Sequence, residues 1–199
     1  MKERRVQDYS QLPTYAFGSA SPIWWGTLGF VALEGTGFAL AVGAYLYLWQ
    51  ANEQWPLNAP ELSHWPGTVM LIALVASIVP NILIDKEARK ENLARVQLWL
   101  VVMSLVGLVT LGIRAWEFTS LNIRWDANAY GSIVWFILGL HTTHLITDIG
   151  DTVVLTALMF TRHATGKRFS DVSDNAFYWY FVVGSWVPLY VLLYWMPRL

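Results

Sequence analysis

The chain has 199 residues, 55% of them hydrophobic and 14% charged, with a mean hydropathy of +0.40. A soluble domain carries about 25% charged residues, so this composition describes an integral membrane protein with little mass outside the bilayer. A net charge of −1 argues against a nucleic-acid partner, and the absence of cysteine excludes disulfides, thiolate metal sites and a cysteine nucleophile.

In chain order, residues 1–22 are polar and read as a cytoplasmic N-terminal arm; no apolar run with a cleavage site follows the basic start, so no signal peptide is expected. Residues 23–199 read as one all-α domain, a polytopic bundle of five transmembrane helices at about 23–49, 66–84, 96–116, 131–160 and 176–196. The first segment holds Gly26, Gly29, Gly35, Gly37 and Gly43, small residues of the kind that let membrane helices approach, and also Glu34. Residues 85–91 read as a solvated charged turn, 118–129 as a polar loop and 161–175 as a basic loop, with His64 and His163 also in loops. Pro80 and Pro188 are expected to kink the second and fifth segments. Trp24, Trp25, Trp49, Trp65, Trp116 and Trp195 sit at segment ends, as in the aromatic belts of a spanning bundle. Ten of the thirteen basic residues fall on one side of a five-segment threading, leaving only Arg114, Arg124 and Arg198 on the other. The N-terminus is therefore expected in the cytoplasm and the C-terminus outside, in a bacterial inner membrane.

The fourth segment carries His141, His144, Asp148 and Asp151 at spacings of three, four and three, which put all four on one stripe of a helix. A charge in hydrocarbon costs at least about 2.5 kcal/mol, so the stripe must face protein or trapped water. Helix rise places Asp148 about 18 Å and Glu34 about 16 Å from the cytoplasmic ends of their segments. Glu34 and the stripe are thus expected to form one buried polar cluster between segments one and four. Such groups can satisfy one another and fix helix register, hold protons or a lipid headgroup, or bind a metal such as zinc or manganese. The spacing suits haem poorly, because neighbours three apart on one face cannot ligate opposite sides of one haem. Arg114 and Glu117, three apart near the outer end of segment three, read as a helix-end ion pair near the headgroups.

These motifs together resemble subunit III of the haem–copper oxidases, the cytochrome c and quinol oxidases. The resemblance rests on Trp25-Gly26-Thr27-Leu28-Gly29-Phe30 with Glu34, Ala115-Trp116-Glu117-Phe118, Tyr130-Gly131-Ser132, the Gly139 to His144 run, and Phe177-Tyr178-Trp179-Tyr180-Phe181-Val182 with Trp186 and Tyr190. It implies a non-catalytic accessory subunit without haem or copper of its own, those centres lying in partner subunits. It further implies packing against catalytic subunit I, with subunit II in the complex, phospholipid bound in a cleft, and support of proton uptake and stability during aerobic electron transport. Glu34, His141 and His144 carry over as the buried polar group and Glu117 as the outer carboxylate. The chain departs from the family pattern at Thr142, Asp148, Tyr180, Val183 and Arg114, as though acids had been added to segment four and lost from segment five. A subunit associated with a nitric oxide reductase, or a small proton-coupled transporter using the His141/His144/Asp148 stripe, are the alternative expectations.

Overall fold

The computed structural model describes residues 15–198, so residues 1–14 of the expected arm lie outside the described residues. The described part is all-helical, with five helices long and apolar enough to cross a membrane. They are α1 (Pro22–Gln50), α2 (His64–Arg89), α3 (Leu93–Thr119), α4 (Ala129–Met159) and α5 (Gly166–Tyr190). The chain leaves α5 through a wide π turn at Val191–Trp195 and a 3-10 turn at Met196–Arg198.

Local chemistry sets the boundaries. Ser21 accepts a bond from the Ile23 amide at the start of α1, with Pro22 in the first helical position, where its missing N–H costs nothing. Asn92 and Asn128 cap α3 and α4 through the amides of Arg95 and Gly131. The charged residues 85–89, expected in a turn, continue α2 to Arg89; the turn itself is Lys90 to Asn92, with Glu91 at φ 54°. Helix α5 begins ten residues before the expected 176, and this turns a supposed basic loop into nearly three turns of amphipathic helix. His64 is the first residue of α2 and half-buried, its ring 5.3 Å from that of Trp195.

The packing seams are made of small and polar side chains. Beyond Pro66 in its first turn, helix α2 buries Gly67, Met70, Leu74, Ser77, Asn81, Ile84 and Ala88. Helix α3 buries Val96, Leu100, Met103, Gly107, Thr110, Arg114 and Glu117. Both series step by three and four in strict alternation, the repeat of helices wound side by side in a left-handed pair. Helix α2 also meets α5, where Asn81 donates to the Ala176 carbonyl at 2.8 Å and Trp179 to Ser77 at 2.8 Å. Helix α3 meets α4, where Gln97 donates to the Met159 carbonyl at 2.7 Å.

Helix α1 stands apart. It packs against α4 and α5 and buries only Phe38, Ala41 and Tyr45, whereas α4 and α5 bury thirteen residues each. Phe38, Ala41 and Tyr45 all lie in its second half, where Tyr45 also receives the Trp55 indole at 3.1 Å. Its first half splays from the bundle and leaves a cleft at the end where Ala16 binds Ser170 and Phe17 lies under Arg89. This is the end that carries most of the basic residues, and it is called the basic end below.

Close helix approach can be tested at α3. A Cβ on Gly107 would lie 2.7 Å from Ile149 Cγ1 on α4, whereas one on Gly112 would meet nothing within 4 Å. Gly107→Ala is expected to cost about 1–3 kcal/mol through overpacking, enough to outweigh the helix-propensity gain. Gly112→Ala should leave the melting temperature in detergent unchanged or raised; equal behaviour of the two variants would contradict the packing described.

Candidate functional site

The four polar residues of α4 do not form one cluster. At about 100° per residue, His141 and Asp148 fall within about 20° of each other, while His144 and Asp151 lie about 60–80° further round the helix. His141 and Asp148 accordingly point into the bundle, 0% and 1% exposed, and Asp151 is exposed toward the cleft. Position along the helix axis separates His141 from the other three into two polar compartments, with the Phe38 ring packed 4.7 Å from His144 and 6.2 Å from His141.

The first compartment lines the cleft. His144 Nε2 stands 3.3 Å from Glu34 Oε1, and the Tyr178 hydroxyl donates to Glu34 Oε2 at 2.6 Å. His144 Nδ1 lies 2.6 Å from the Leu140 carbonyl, which can only accept, so Nδ1 carries a proton. His144 Nε2 and Glu34 Oε1 face each other across 3.3 Å, side by side on the floor of the cleft. Asp148 sits a turn away on α4, and neither of its carboxylate oxygens meets a donor among the described residues. The cleft has a volume of about 940 Å³ and runs between α1, α4 and α5. Its floor holds Glu34, His144, Asp148 and Tyr178; Asp151, Asp174 and Asn175 lie nearer the basic end, with Asp171 and Arg168 nearest to it. Its walls are apolar: Ile23, Phe30, Val154, Leu155 and Leu158.

The second compartment is closed. Arg114, 1% exposed, donates from Nη1 to Glu117 Oε2 at 2.5 Å and from Nη2 to His141 Nδ1 at 2.8 Å. Its guanidinium carbon lies 4.0 Å from the Trp186 ring centre. Glu117, fully buried, also receives the Tyr194 hydroxyl, and the π turn at Val191–Trp195 is the segment that presents Tyr194. Guanidinium has no acceptor, so His141 Nδ1 must be bare and Nε2 must carry the proton given to the Val182 carbonyl at 3.0 Å. His141 is thus fixed as a neutral imidazole with both nitrogens engaged.

Three expectations need correction. His141 leaves the Glu34 cluster because it lies nearly a turn beyond His144 along α4, away from the cleft, where Arg114 of α3 meets its ring. The Arg114–Glu117 pair is no headgroup-level surface bridge, because the heptad seam of α3 carries both side chains into the interior. Residues 161–175, expected as a basic loop, are helical from Gly166 onward, and this sets Asp171, Asp174, Asn175 and Tyr178 on one side of α5, at offsets of three, four and seven from Asp171. Val183, one of the departures, is a core residue at 3% exposure. Tyr194 is not among the candidates read from the sequence, since no spacing links it to Glu117 on another helix. On the loop before α4, Arg124 grips Asp126 through Nε at 2.9 Å and Nη2 at 2.8 Å, and these bonds hold the Asp126 carboxyl below its usual range. Among the described residues, no three His, Cys, Asp or Glu side chains converge in a way that would hold a metal ion.

Breaking the second compartment should be costly. Arg114→Met leaves Glu117 buried opposite Tyr194 alone and is expected to destabilise by about 3–5 kcal/mol. Adding Glu117→Leu should recover much of that loss, giving a coupling of about 1–3 kcal/mol in a double-mutant cycle read from unfolding in detergent. Strictly additive effects would mean that the two groups do not act as a pair.

Residues 56–198, well over half of the chain, match the family model described as cytochrome c oxidase subunit III. Among curated proteins, the chain is similar to the cytochrome c oxidase subunit 3 of Thermostichus vulcanus, 26% identical over 176 residues and covering 87% of each chain. It is 25% identical over 174 residues to that of Synechocystis, covering 85% of this chain and 73% of the relative. The cytochrome c oxidase subunit 3 of the lancelet Branchiostoma lanceolatum is 32% identical over 98 residues, covering 48% of this chain and 37% of the lancelet protein.

Proposed function

The chain belongs to the cytochrome c oxidase subunit III family, and from that premise we propose that it is a non-catalytic accessory subunit of a respiratory haem–copper oxidase. In this reading it packs on catalytic subunit I, with subunit II in the same complex, and the redox centres reside in those partners. The single observation carrying the reading is the family match over residues 56–198. The cleft adds to it: an apolar groove of about 940 Å³ opening between membrane helices suits phospholipid acyl chains.

The bundle would sit in a bacterial inner membrane with its basic end in the cytoplasm. The cleft then opens toward the cytoplasmic leaflet, and its acids form a ladder from Asp171 and Asp174 inward to Asp151, Asp148 and Glu34. A carboxylate without a donor, such as Asp148, must share its charge with a proton, a cation or water. The ladder can therefore collect protons from the cytoplasm and hold them beside the neighbouring subunit, which is the support for proton uptake proposed here. It ends blind. The neutral, doubly engaged His141 and the Arg114 cation bar a proton from passing further toward the outer face.

Affinity purification of the tagged chain from native membranes tests the assignment. The expected result is a co-purifying catalytic subunit with its haem absorption, while the chain expressed by itself shows no haem spectrum. The paired variant Glu34→Gln/Asp148→Asn should assemble normally yet show a partial loss of proton uptake during turnover. Purification of the tagged chain alone from membranes that hold an active oxidase would overturn the assignment.

A further inference from the structure

We propose that Phe38 is a septum that keeps the water of the cleft out of the Arg114 compartment. The inference goes beyond the oxidase assignment and holds whatever complex the chain joins. Its ground is that polar groups run through much of the height of the bundle. From the basic end, the acids of the cleft lead to the Glu34–His144 contact. From the other end, Tyr194, Glu117 and Arg114 lead to His141. The two series approach within nearly one helical turn on α4, between His144 and His141.

Both sides hold groups that water would satisfy. On the cleft side, neither oxygen of Asp148 meets a donor among the described residues. On the closed side, Arg114 Nε and Trp186 Nε1 are buried and meet no acceptor among them. The Trp186 ring lies 4.9 Å from that of His141 and 4.0 Å from the Arg114 guanidinium carbon, so both bare donors belong to side chains that touch this imidazole. A void holds a water once it has about 10–15 Å³ of probe volume and two to four polar partners. Partners are present on both sides, so room decides.

Phe38 takes that room. It stands one turn beyond Glu34 on α1 and is 6% exposed. Its ring packs on both histidines at once and lies 5.9 Å from the ring of Phe181 on α5. Phe181 is itself 6.3 Å from His144, and Leu145 of α4 and Val182 of α5 are fully buried in the same apolar core. The plug is thus apolar from three helices. It serves two ends. A water-poor surrounding keeps the Arg114–Glu117 attraction strong. The same ring stops the polar groups of the bundle from joining into one wetted path across the membrane.

Indole hydrogen exchange tests this. Trp186 Nε1 has no acceptor among the described residues, so its exchange is set by how often water reaches it. Trp179, buried and bonded to Ser77 on the α2 side, reports opening of the bundle as a whole. The full chain, carrying isotope-labelled tryptophan in lipid nanodiscs, is moved into deuterated water, and its indole N–H signals are followed by nuclear magnetic resonance. Trp186→Phe identifies the signal. The expected result is that Trp186 of the native chain long outlasts the exposed Trp65. Phe38→Ala should speed Trp186 exchange by about tenfold or more with Trp179 unchanged. Phe38→Leu, which keeps an apolar plug, should leave it slow. If Phe38→Ala opens the whole bundle, seen as Trp179 speeding equally, Phe38→Thr with its smaller void takes its place under the same expectation. Native Trp186 exchanging as fast as Trp65, or Trp186 staying slow in the truncated variant that keeps Trp179 slow, overturns the proposal.

Discussion

The buried pair of Arg114 and Glu117 is the constraint on which the arrangement of α3, α4 and the end of α5 depends. A guanidinium inside a bundle of membrane-spanning helices cannot be left to lipid, so three groups meet it: the carboxylate from its own helix, the imidazole of His141 from α4, and the Trp186 face from α5. Glu117 in turn holds Tyr194, and through the π turn it fixes where the chain ends its last helix. Hydrophobic burial could not do this, since lipid tails are as apolar as leucine and give no reason for one apolar face to choose another. Polar groups do choose, because the alternative is an unsatisfied charge in oil.

This also explains why the molecule divides into a tight half and an open half. Where α2, α3, α4 and α5 meet, the seams are heptad stripes of small and polar residues, and two of the glycines, Gly67 and Gly107, leave no room for a methyl group against Tyr194 and Ile149. Along α1 the opposite holds. At Gly26, Gly29, Gly37 and Gly43 an added Cβ would meet nothing within 4 Å, so smallness there serves no contact within this chain. Helix α1 is fastened in its second half, through Phe38, Ala41 and Tyr45, and by the Glu34 contacts with Tyr178 and His144 near its middle. The polar groups that tie α1 down are therefore the same ones that floor the cleft.

Much of this was legible in the residues. The five segments followed from apolar run length, and their number from the distribution of Lys and Arg. The proximity of Glu34 to His144 followed from equal depth, which helix rise alone supplies. The division of the α4 stripe is not legible from spacing: His141 and Asp148 lie within about 20° of each other and still part, because His141 meets Arg114 of α3, a partner that only the packing supplies. The burial of Arg114 was in principle visible: Val96, Leu100, Met103, Gly107, Thr110, Arg114 and Glu117 keep one register throughout. It went unread because the lipid-facing side of α3, with Leu105, Leu108 and Val109, is at least as apolar as the seam. In a membrane the buried face is marked by what is small or polar on it, not by hydrophobicity. The early start of α5 was masked for a related reason, since its first ten residues are amphipathic and charged, and a search for apolar runs passes over them.

That charged opening of α5 gives the cleft its asymmetry. Had the helix begun where its apolar run begins, Arg168, Asp171 and Asp174 would lie on a loop, free to turn toward water and solvate themselves. Held on a helix, they line one groove together with Asn175 and Tyr178. Asn175 is pinned there by its bond to Thr152 at 2.9 Å and Tyr178 by its bond to Glu34, so the helix cannot rotate to release Asp174. That the Asp174 carboxylate meets no donor among the described residues is thus a consequence of bonds made deeper in the cleft. The same bonds that anchor α1 at its middle hold an acid at the groove's entrance, aimed at whatever cation the groove admits.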